Sequence, residues 1–184
     1  MNKCLIVVDY QNDFIDGQLG FEEAIDIRDK IVEKIKDYRS NNYDIIFTMD
    51  THEEKYLETE EGKNLPVKHC IKGTEGHKLH KSVEALKSPK DKVFEKQTFP
   101  SLELGKYLEN KKYDVIELCG LVSNICVISN AVIVKSALPN AHVIVDAEAT
   151  DSFDKALHTK SLDVMEGLQI EVVNKKWNTD NQWL

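Results

Sequence analysis

Glu117-Leu118-Cys119-Gly120-Leu121-Val122-Ser123-Asn124-Ile125-Cys126-Val127 is the stretch that decides the architecture. The run leading into it, Tyr113–Cys119, is largely apolar, as in a strand buried on both faces. Gly120 stops that run, and Ser123 is placed to cap a helix. The apolar segment that follows, to Ala137, carries strand propensity through Val127, Ile128, Val132, Ile133 and Val134. Its length and the serine favour a buried helix over a second strand. Cys126 then falls at the third helical position, where unpaired N–H groups and the helix dipole favour thiolate over thiol. A lone cysteine there is equally a small buried apolar residue, so the residues around it must decide.

Strand-like runs recur on both sides, with helical patterns between them. Cys4–Asp9 is a continuous apolar run ending in a carboxylate, and Glu22–Arg39 carries Ala24, Ile27, Ile31 and Ile35 at helical spacing. Asp44–Met49 reads as the second strand. A long irregular stretch from Thr51 to Pro89 precedes a short third strand, Lys92–Glu95. Beyond a helix over Ser101–Asn110 come Tyr113–Cys119 and the helix Ser123–Ala137. Strand His142–Asp146, helix Lys155–Glu166 and strand Gln169–Val173 complete the series. Alternating β and α elements predict an α/β fold: a mostly parallel six-stranded sheet in a three-layer α-β-α, Rossmann-like arrangement. With 184 residues and no linker, repeat or low-complexity tract, one domain over 1–184 is expected.

A net charge of −8 argues against nucleic acid or an anionic membrane as partner. No apolar run approaches the roughly 20 residues that span a bilayer, and Met1–Asp9 is too short and too acid-terminated for a signal peptide. Cys4, Cys70, Cys119 and Cys126 form no CxxC pair, and Cys4 and Cys119 fall in predicted interior strands. Reduced thiols and a cytoplasmic location are expected.

In an open parallel sheet the ligand crevice lies beyond the carboxyl ends of the strands. The polar residues at those ends are Asp9, Asp50 with His52, Lys96, and Cys126 just past the fourth strand. A lysine stabilises a thiolate electrostatically. A carboxylate can take the thiol proton and return it to a leaving amine. Taken singly, Asp9 is a cap and Lys96 a solvated charge; at converging strand ends they make a nucleophile, a base and a cation.

Val8-Asp9-Tyr10-Gln11-Asn12-Asp13-Phe14, Asp50-Thr51-His52, His69-Cys70-Ile71-Lys72-Gly73-Thr74-Glu75-Gly76, Glu95-Lys96-Gln97-Thr98-Phe99 and Gly120 to Val127 occur in that order. Together they resemble the isochorismatase-like cysteine hydrolase superfamily, and within it the nicotinamidases (pyrazinamidases). The resemblance implies the isochorismatase fold with strand order 3-2-1-4-5-6 and a catalytic triad of Asp9, Lys96 and Cys126. It also implies a cis peptide at Leu121–Val122 and an oxyanion hole from the Val122 and Cys126 N–H groups. The implied reaction is hydrolysis of a small carboxamide, nicotinamide first among them, through a thioester.

The same resemblance implies a divalent metal on Asp50, His52 and His69, with Glu61 preferred over Glu58 and Glu60 as a fourth ligand. Two imidazoles with carboxylates suit Zn²⁺, Fe²⁺ or Mn²⁺, and the ion's role would be to hold a pyridine nitrogen. Phe14 supplies one aromatic wall for the substrate. Leu65 stands beside Pro66 where an aromatic is usual, Thr51 follows Asp50 where another is usual, and Asn124 replaces a commoner acid. The second wall is therefore expected to be Leu65 rather than an aromatic. His77 and His80 are read as surface residues. The expected partner is a small-molecule amide, with a homo-oligomer left open. Competing readings are another amidase of the superfamily acting on ureido or N-carbamoyl compounds, a non-catalytic interaction domain, and a redox-sensing thiol protein.

Overall fold

A computed structural model describes residues 1–176, so the last eight positions of the expected domain lie outside the described residues. The chain runs β1 (Lys3–Val8), α1 (Asn12–Ile15), α2 (Arg28–Ser40), β2 (Asp44–Asp50), α3 (Glu60–Asn64), α4 (Lys81–Glu84) and β3 (Lys92–Lys96). It continues through α5 (Leu102–Glu109), β4 (Val115–Leu121), a π-wound turn (Ser123–Val127), α6 (Ile128–Ala137), β5 (His142–Asp151), α7 (Lys155–Gly167) and β6 (Glu171–Val173). The strands form one six-stranded sheet in the order β3-β2-β1-β4-β5-β6, with every neighbouring pair parallel. This is the expected α/β isochorismatase fold.

β1 is the axis of the molecule, flanked by β2 and β4. Its successive side chains point to opposite faces. Leu5 and Val7 pack with Ile31 and Ile35 of α2, while Cys4, Ile6 and Val8 pack with Leu104, Leu108, Val134 and Met165 from α5, α6 and α7. Both faces are therefore covered, which explains why the strands read as unbroken apolar runs rather than alternating ones.

Several elements differ from their expected bounds. The helix expected over Glu22–Arg39 is split into a 3-10 turn, Glu22–Ala24, and α2. The Tyr10 hydroxyl donates to the Ala24 carbonyl at 3.0 Å and holds it out of a helical ladder. β4 runs on to Leu121 and β5 to Asp151, with a register shift between Leu118 and Gly120 that lets the two extended ends pair again. Gly120 has φ +114°, and a Cβ there would lie 2.0 Å from the Val8 carbonyl oxygen, so only glycine lets β4 pass this close to β1. Ser123 does not cap a helix. Val122 occupies the N-cap position in extended conformation without a side-chain cap, and Cys126 is the fourth residue of a π-wound segment.

The stretch expected to be irregular, Thr51 to Pro89, holds α3, α4 and a 3-10 turn at Tyr56–Glu58. Its middle folds back over the β1 end, with Gln11 bridging Leu79 in antiparallel fashion. His77 and His80, expected at the surface, are buried in consequence. His77 Nε2 lies 2.9 Å from Thr51 Oγ1, and the His80 ring packs edge-on against Tyr10.

Candidate active site and metal centre

Asp9, Lys96 and Cys126 meet where β1, β3 and β4 end. Lys96 Nζ lies 2.6 Å from Asp9 Oδ2 and 3.6 Å from Cys126 Sγ. Asp9 has φ +46°, an uncommon left-handed conformation for a residue other than glycine. Thr48 donates to Asp9 Oδ1 at 2.7 Å, while Oδ2 faces the lysine as an ion pair without an aligned hydrogen bond. That oxygen keeps accepting capacity for a further donor. All three side chains are buried.

Burial sets the protonation balance. It pushes the Cys126 thiol well above its ordinary value; Lys96 opposes this, and the Asp9 and Asp50 carboxylates add to it. Burial likewise raises the Asp9 carboxyl, with Lys96 opposing. For Lys96, burial alone would lower the ammonium, but Asp9 and Cys126 outweigh it and hold the lysine charged. Burial thus works against the charged forms of Cys126 and Asp9, and the Lys96 ammonium is the group that opposes it at both.

Asp50, His52, Glu61 and His69 form a second cluster beside the first. One potential ligand atom from each lies within 4.8 Å of the others. His52 Nε2 is 3.0 Å from Asp50 Oδ2 and 3.4 Å from Glu61 Oε1; His69 Nε2 is 3.3 Å and 3.7 Å from the same oxygens. His69 Nδ1 lies 2.8 Å from the Val67 carbonyl, which can only accept, so Nδ1 is the donor there and Nε2 is the nitrogen turned to the carboxylates. Glu61 Oε2 is buried without a hydrogen-bond partner. Two imidazoles, two carboxylates and an unpartnered buried carboxylate oxygen in one place make a donor set that fits a divalent ion.

Without such an ion, burial alone would lower the His52 pKa, but Asp50 and Glu61 push it up to about 9. Burial would raise Asp50, yet its contacts to His52, His69 and Lys96 hold it well below the usual carboxylate range. Lys96 Nζ lies 3.4 Å from Asp50 Oδ1 and so joins the two clusters.

The motif after β1 builds much of this arrangement, in ways the sequence reading did not assign. Gln11 accepts from the Asp50 N–H and donates to the carbonyls of Asp50 and His77. Asp13 accepts from the Cys70 N–H and so anchors the loop that bears His69. Phe14 packs on His69 with ring centroids 5.7 Å apart. Tyr56, also unassigned, lies 4.5 Å from the His52 ring and 5.0 Å from the His69 ring, and its hydroxyl donates to the Leu65 carbonyl. The Leu65 side chain is exposed. A glutamine three residues past the end of β1 was the available signal for Gln11; Tyr56 offered none, as a single aromatic in a stretch read as irregular.

The Leu121–Val122 peptide is cis. The Val122 carbonyl accepts from both Ile125 and Val127 N–H, and the opening residues of a π-wound turn leave their own N–H groups without intrahelical acceptors. Asn130 donates to the Cys126 carbonyl at 2.8 Å and accepts from the Ser101 N–H. A cavity of about 360 Å³ opens beside the cluster, lined by Thr51, His52, Tyr56, Glu61, Gln97 and Thr98. A larger cleft of about 850 Å³ lies by Asp13, His77 and His80 but touches neither cluster. Chemistry rather than volume picks the site.

The isochorismatase domain matches residues 3–176. The chain belongs to the isochorismatase family. The isochorismatase family protein PncA of Bacillus subtilis (strain 168) is 30% identical over 173 residues, covering 88% of this chain and 93% of that protein. The crystal structure of nicotinamidase PncA from Bacillus subtilis superposes with a TM-score of 0.83 at 26% identity, over 94% of this chain and 99% of that one. A pyrazinamidase of Pyrococcus horikoshii, solved in complex with zinc, shares the fold with a TM-score of 0.80 at 24% identity, over 95% of this chain and all of that one. This chain is thus an isochorismatase-family hydrolase whose relatives include amide-hydrolysing enzymes. Among the described residues, no helix is long and apolar enough to cross a membrane.

Proposed function

We propose that this hydrolase cleaves a small carboxamide through a covalent thioester on Cys126, with nicotinamide as the first-choice substrate and nicotinate and ammonia as products. The observation that carries the reading is Lys96 Nζ standing within 2.6 Å of Asp9 Oδ2 and 3.6 Å of Cys126 Sγ, beside a fitted cation cluster. Asp9 takes the thiol proton as Sγ attacks the amide carbonyl, and Lys96 screens the charge of the thiolate. The Val122 and Cys126 N–H groups receive the developing oxyanion. Asp9 then returns the proton to the departing nitrogen, and water hydrolyses the thioester with Asp9 again as base.

Asp50, His52, Glu61 and His69 would hold the divalent ion. Bound there, it supplies a Lewis-acid contact for a ring nitrogen. Phe14, packed at a tilt against His69, offers the ring one apolar wall, and we assign Leu65 to the other side. The zinc in the Pyrococcus pyrazinamidase and the nicotinamidase relatives support this reading. NAD salvage in the cytoplasm is the process such a reaction would serve.

The test is ammonia release from nicotinamide, pyrazinamide and a panel of aliphatic and N-carbamoyl amides. Preference for a pyridine-type ring supports the proposal. Turnover confined to N-carbamoyl compounds would replace the substrate while keeping the thiol chemistry, and silence across the panel with intact Cys126 would end both.

A further inference from the structure

Ser123 opens the turn that carries Cys126, directly after the cis Leu121–Val122 peptide, and it is fully buried. Its Oγ lies 2.9 Å from Nδ1 of His158, which comes from α7. The same Nδ1 is 3.7 Å from Oδ1 of Asp151, the last residue of β5, and Asp151 pairs in register with Leu121 at the end of β4. Ser, His and Asp in this order suggest a second nucleophile, but both contacts use the same ring nitrogen, so no proton can be relayed through the imidazole. The serine hydroxyl also has no exposed surface for a substrate. What the imidazole does is join three points around the β4 end: the first residue of the nucleophile turn, the adjoining strand terminus and the outer helix.

That location bears on catalysis because the turn is held from several sides, and Cys126 and Val127 share a core cluster with Leu162 and Met165 of α7. Internally, the Val122 carbonyl takes the Ile125 and Val127 N–H groups, and on the far side Asn130 holds the Cys126 carbonyl. Towards α7 the turn is tied by the Ser123–His158 hydrogen bond. Burial lowers the His158 pKa, with Asp151 opposing and Lys155 assisting. A neutral ring carries its proton on one of the two nitrogens, and the Ser123 hydroxyl, which can donate or accept, pairs with Nδ1 in either tautomer. Asp151 is itself fixed by the Ser152 N–H and by Lys155.

We propose that His158 is a positioning residue for the thiol hydrolase: through Ser123 it sets the register of the turn presenting the Val122 and Cys126 N–H groups and the Cys126 thiol. The proposal rests on the reading of Cys126 as nucleophile. A misplacement of about 1 Å at a reacting group can cost up to about a hundredfold, and loss of one tie among several should cost about tenfold in kcat. KM should stay within about twofold, because His158 does not meet the substrate.

Two readouts test it on the full-length protein: amide turnover, and the rate at which iodoacetamide alkylates Cys126, followed by peptide mass spectrometry. His158→Ala should lower kcat about tenfold and speed alkylation severalfold as the turn loosens. His158→Asn places an acceptor near the Nδ1 position and should recover most of both effects. His158→Gln places it near Nε2 and should not, which keeps the comparison informative even where the alanine variant folds poorly. Ser123→Ala should match His158→Ala, and the double variant should be no worse than either single one. Equal behaviour of the Asn and Gln variants, multiplying losses in the double variant, or wild-type kcat and alkylation in His158→Ala would each overturn the proposal. If the wild type hydrolyses no amide, the function reading fails by itself, and the alkylation series still decides whether His158 holds the turn.

Discussion

The two clusters at the carboxyl edge of the sheet are built from similar residue types and close their charges differently. Around Cys126 the countercharge is built in: the Asp9 carboxyl faces the Lys96 ammonium and accepts from the Thr48 hydroxyl, and burial raises the Cys126 thiol. Around Asp50 the setting differs. Two carboxylates face two imidazole nitrogens, Glu61 Oε2 has no hydrogen-bond partner, and Asp50 and Glu61 push the His52 pKa up to about 9. One cluster carries its own cation in Lys96, and the other has a donor set that fits a divalent ion. The lesson is that buried polar groups announce a ligand by what they leave unanswered rather than by how many gather.

The sharpest way to break the comparison is at the thiol. Cys126→Ala should reduce amide turnover at least about a thousandfold, because no other group supplies the nucleophile, while the denaturant midpoint moves little. Metal content should be unaffected. Turnover within tenfold of wild type would remove the thioester from the mechanism.

Lys96 is the one residue common to both clusters, so its loss should damage both. In Lys96→Met, Asp9 is left buried and unpaired, and breaking a buried pair from one side costs about 3–5 kcal/mol. We expect a corresponding fall in unfolding free energy by urea titration, together with loss of turnover. A stable, inactive Lys96→Met would mean that Asp9 simply takes a proton, and an Asp9→Asn/Lys96→Met double variant would then show no further change.

How much of this was legible beforehand follows from where the information sits in the chain. The sheet could be read because its strands are buried on both faces and so appear as apolar runs such as Cys4–Val8. The positions of Asp9, Asp50 and Lys96 followed from the rule that such sheets bind at their carboxyl ends. The misreadings share one cause, a long-range partner overriding a local signal. Ser123 has the composition of an N-cap, yet its hydroxyl is drawn to His158, thirty-five positions on. Ala24 belongs to a helical pattern, yet Tyr10 holds its carbonyl. His77 and His80 lie in a polar stretch that is folded back over Gln11 and Tyr10. Glu61, by contrast, was preferred over Glu58 and Glu60 by resemblance alone, and it is the one of the three whose carboxylate stands beside both histidines.

The unanswered cluster makes a softer target. Zn²⁺ titrated into chelator-treated protein should bind at one per chain. His52→Ala should weaken that binding at least about tenfold, and Glu61→Gln less. Because the ion competes with the His52 proton, affinity should climb as pH rises from about 6.5 towards 9. The stability trend of the metal-free protein has the opposite sign. A folded-state pKa raised to about 9 gives stability that is fully present below the unfolded value near 6.5 and is lost as pH rises through 9. Thermal melts with chelator should therefore fall between pH 6.5 and 9.5, and saturating Zn²⁺ should flatten the fall. Melts that are identical with and without Zn²⁺ across that range would argue that the cluster is only a hydrogen-bonded network.

The smallest expected effect is at the proposed substrate edge, where Phe14 packs at a tilt against His69 and Leu65 stands exposed with its carbonyl held by Tyr56. A flat ring seated against the cation cluster would have an aromatic surface on one side only. An aromatic pair is worth about 0.5–1.5 kcal/mol beyond area burial, and a 1.4 kcal/mol difference is about tenfold. Leu65→Trp should therefore raise kcat/KM for nicotinamide by up to about tenfold, mostly through KM, while leaving a small aliphatic amide unchanged. The backbone contact to Tyr56 survives the substitution, so the loop keeps its place and the comparison isolates the side chain. A uniform drop for ring and aliphatic amides alike would show that the Leu65 side chain meets no substrate ring, and Phe14 would then stand as the sole apolar wall.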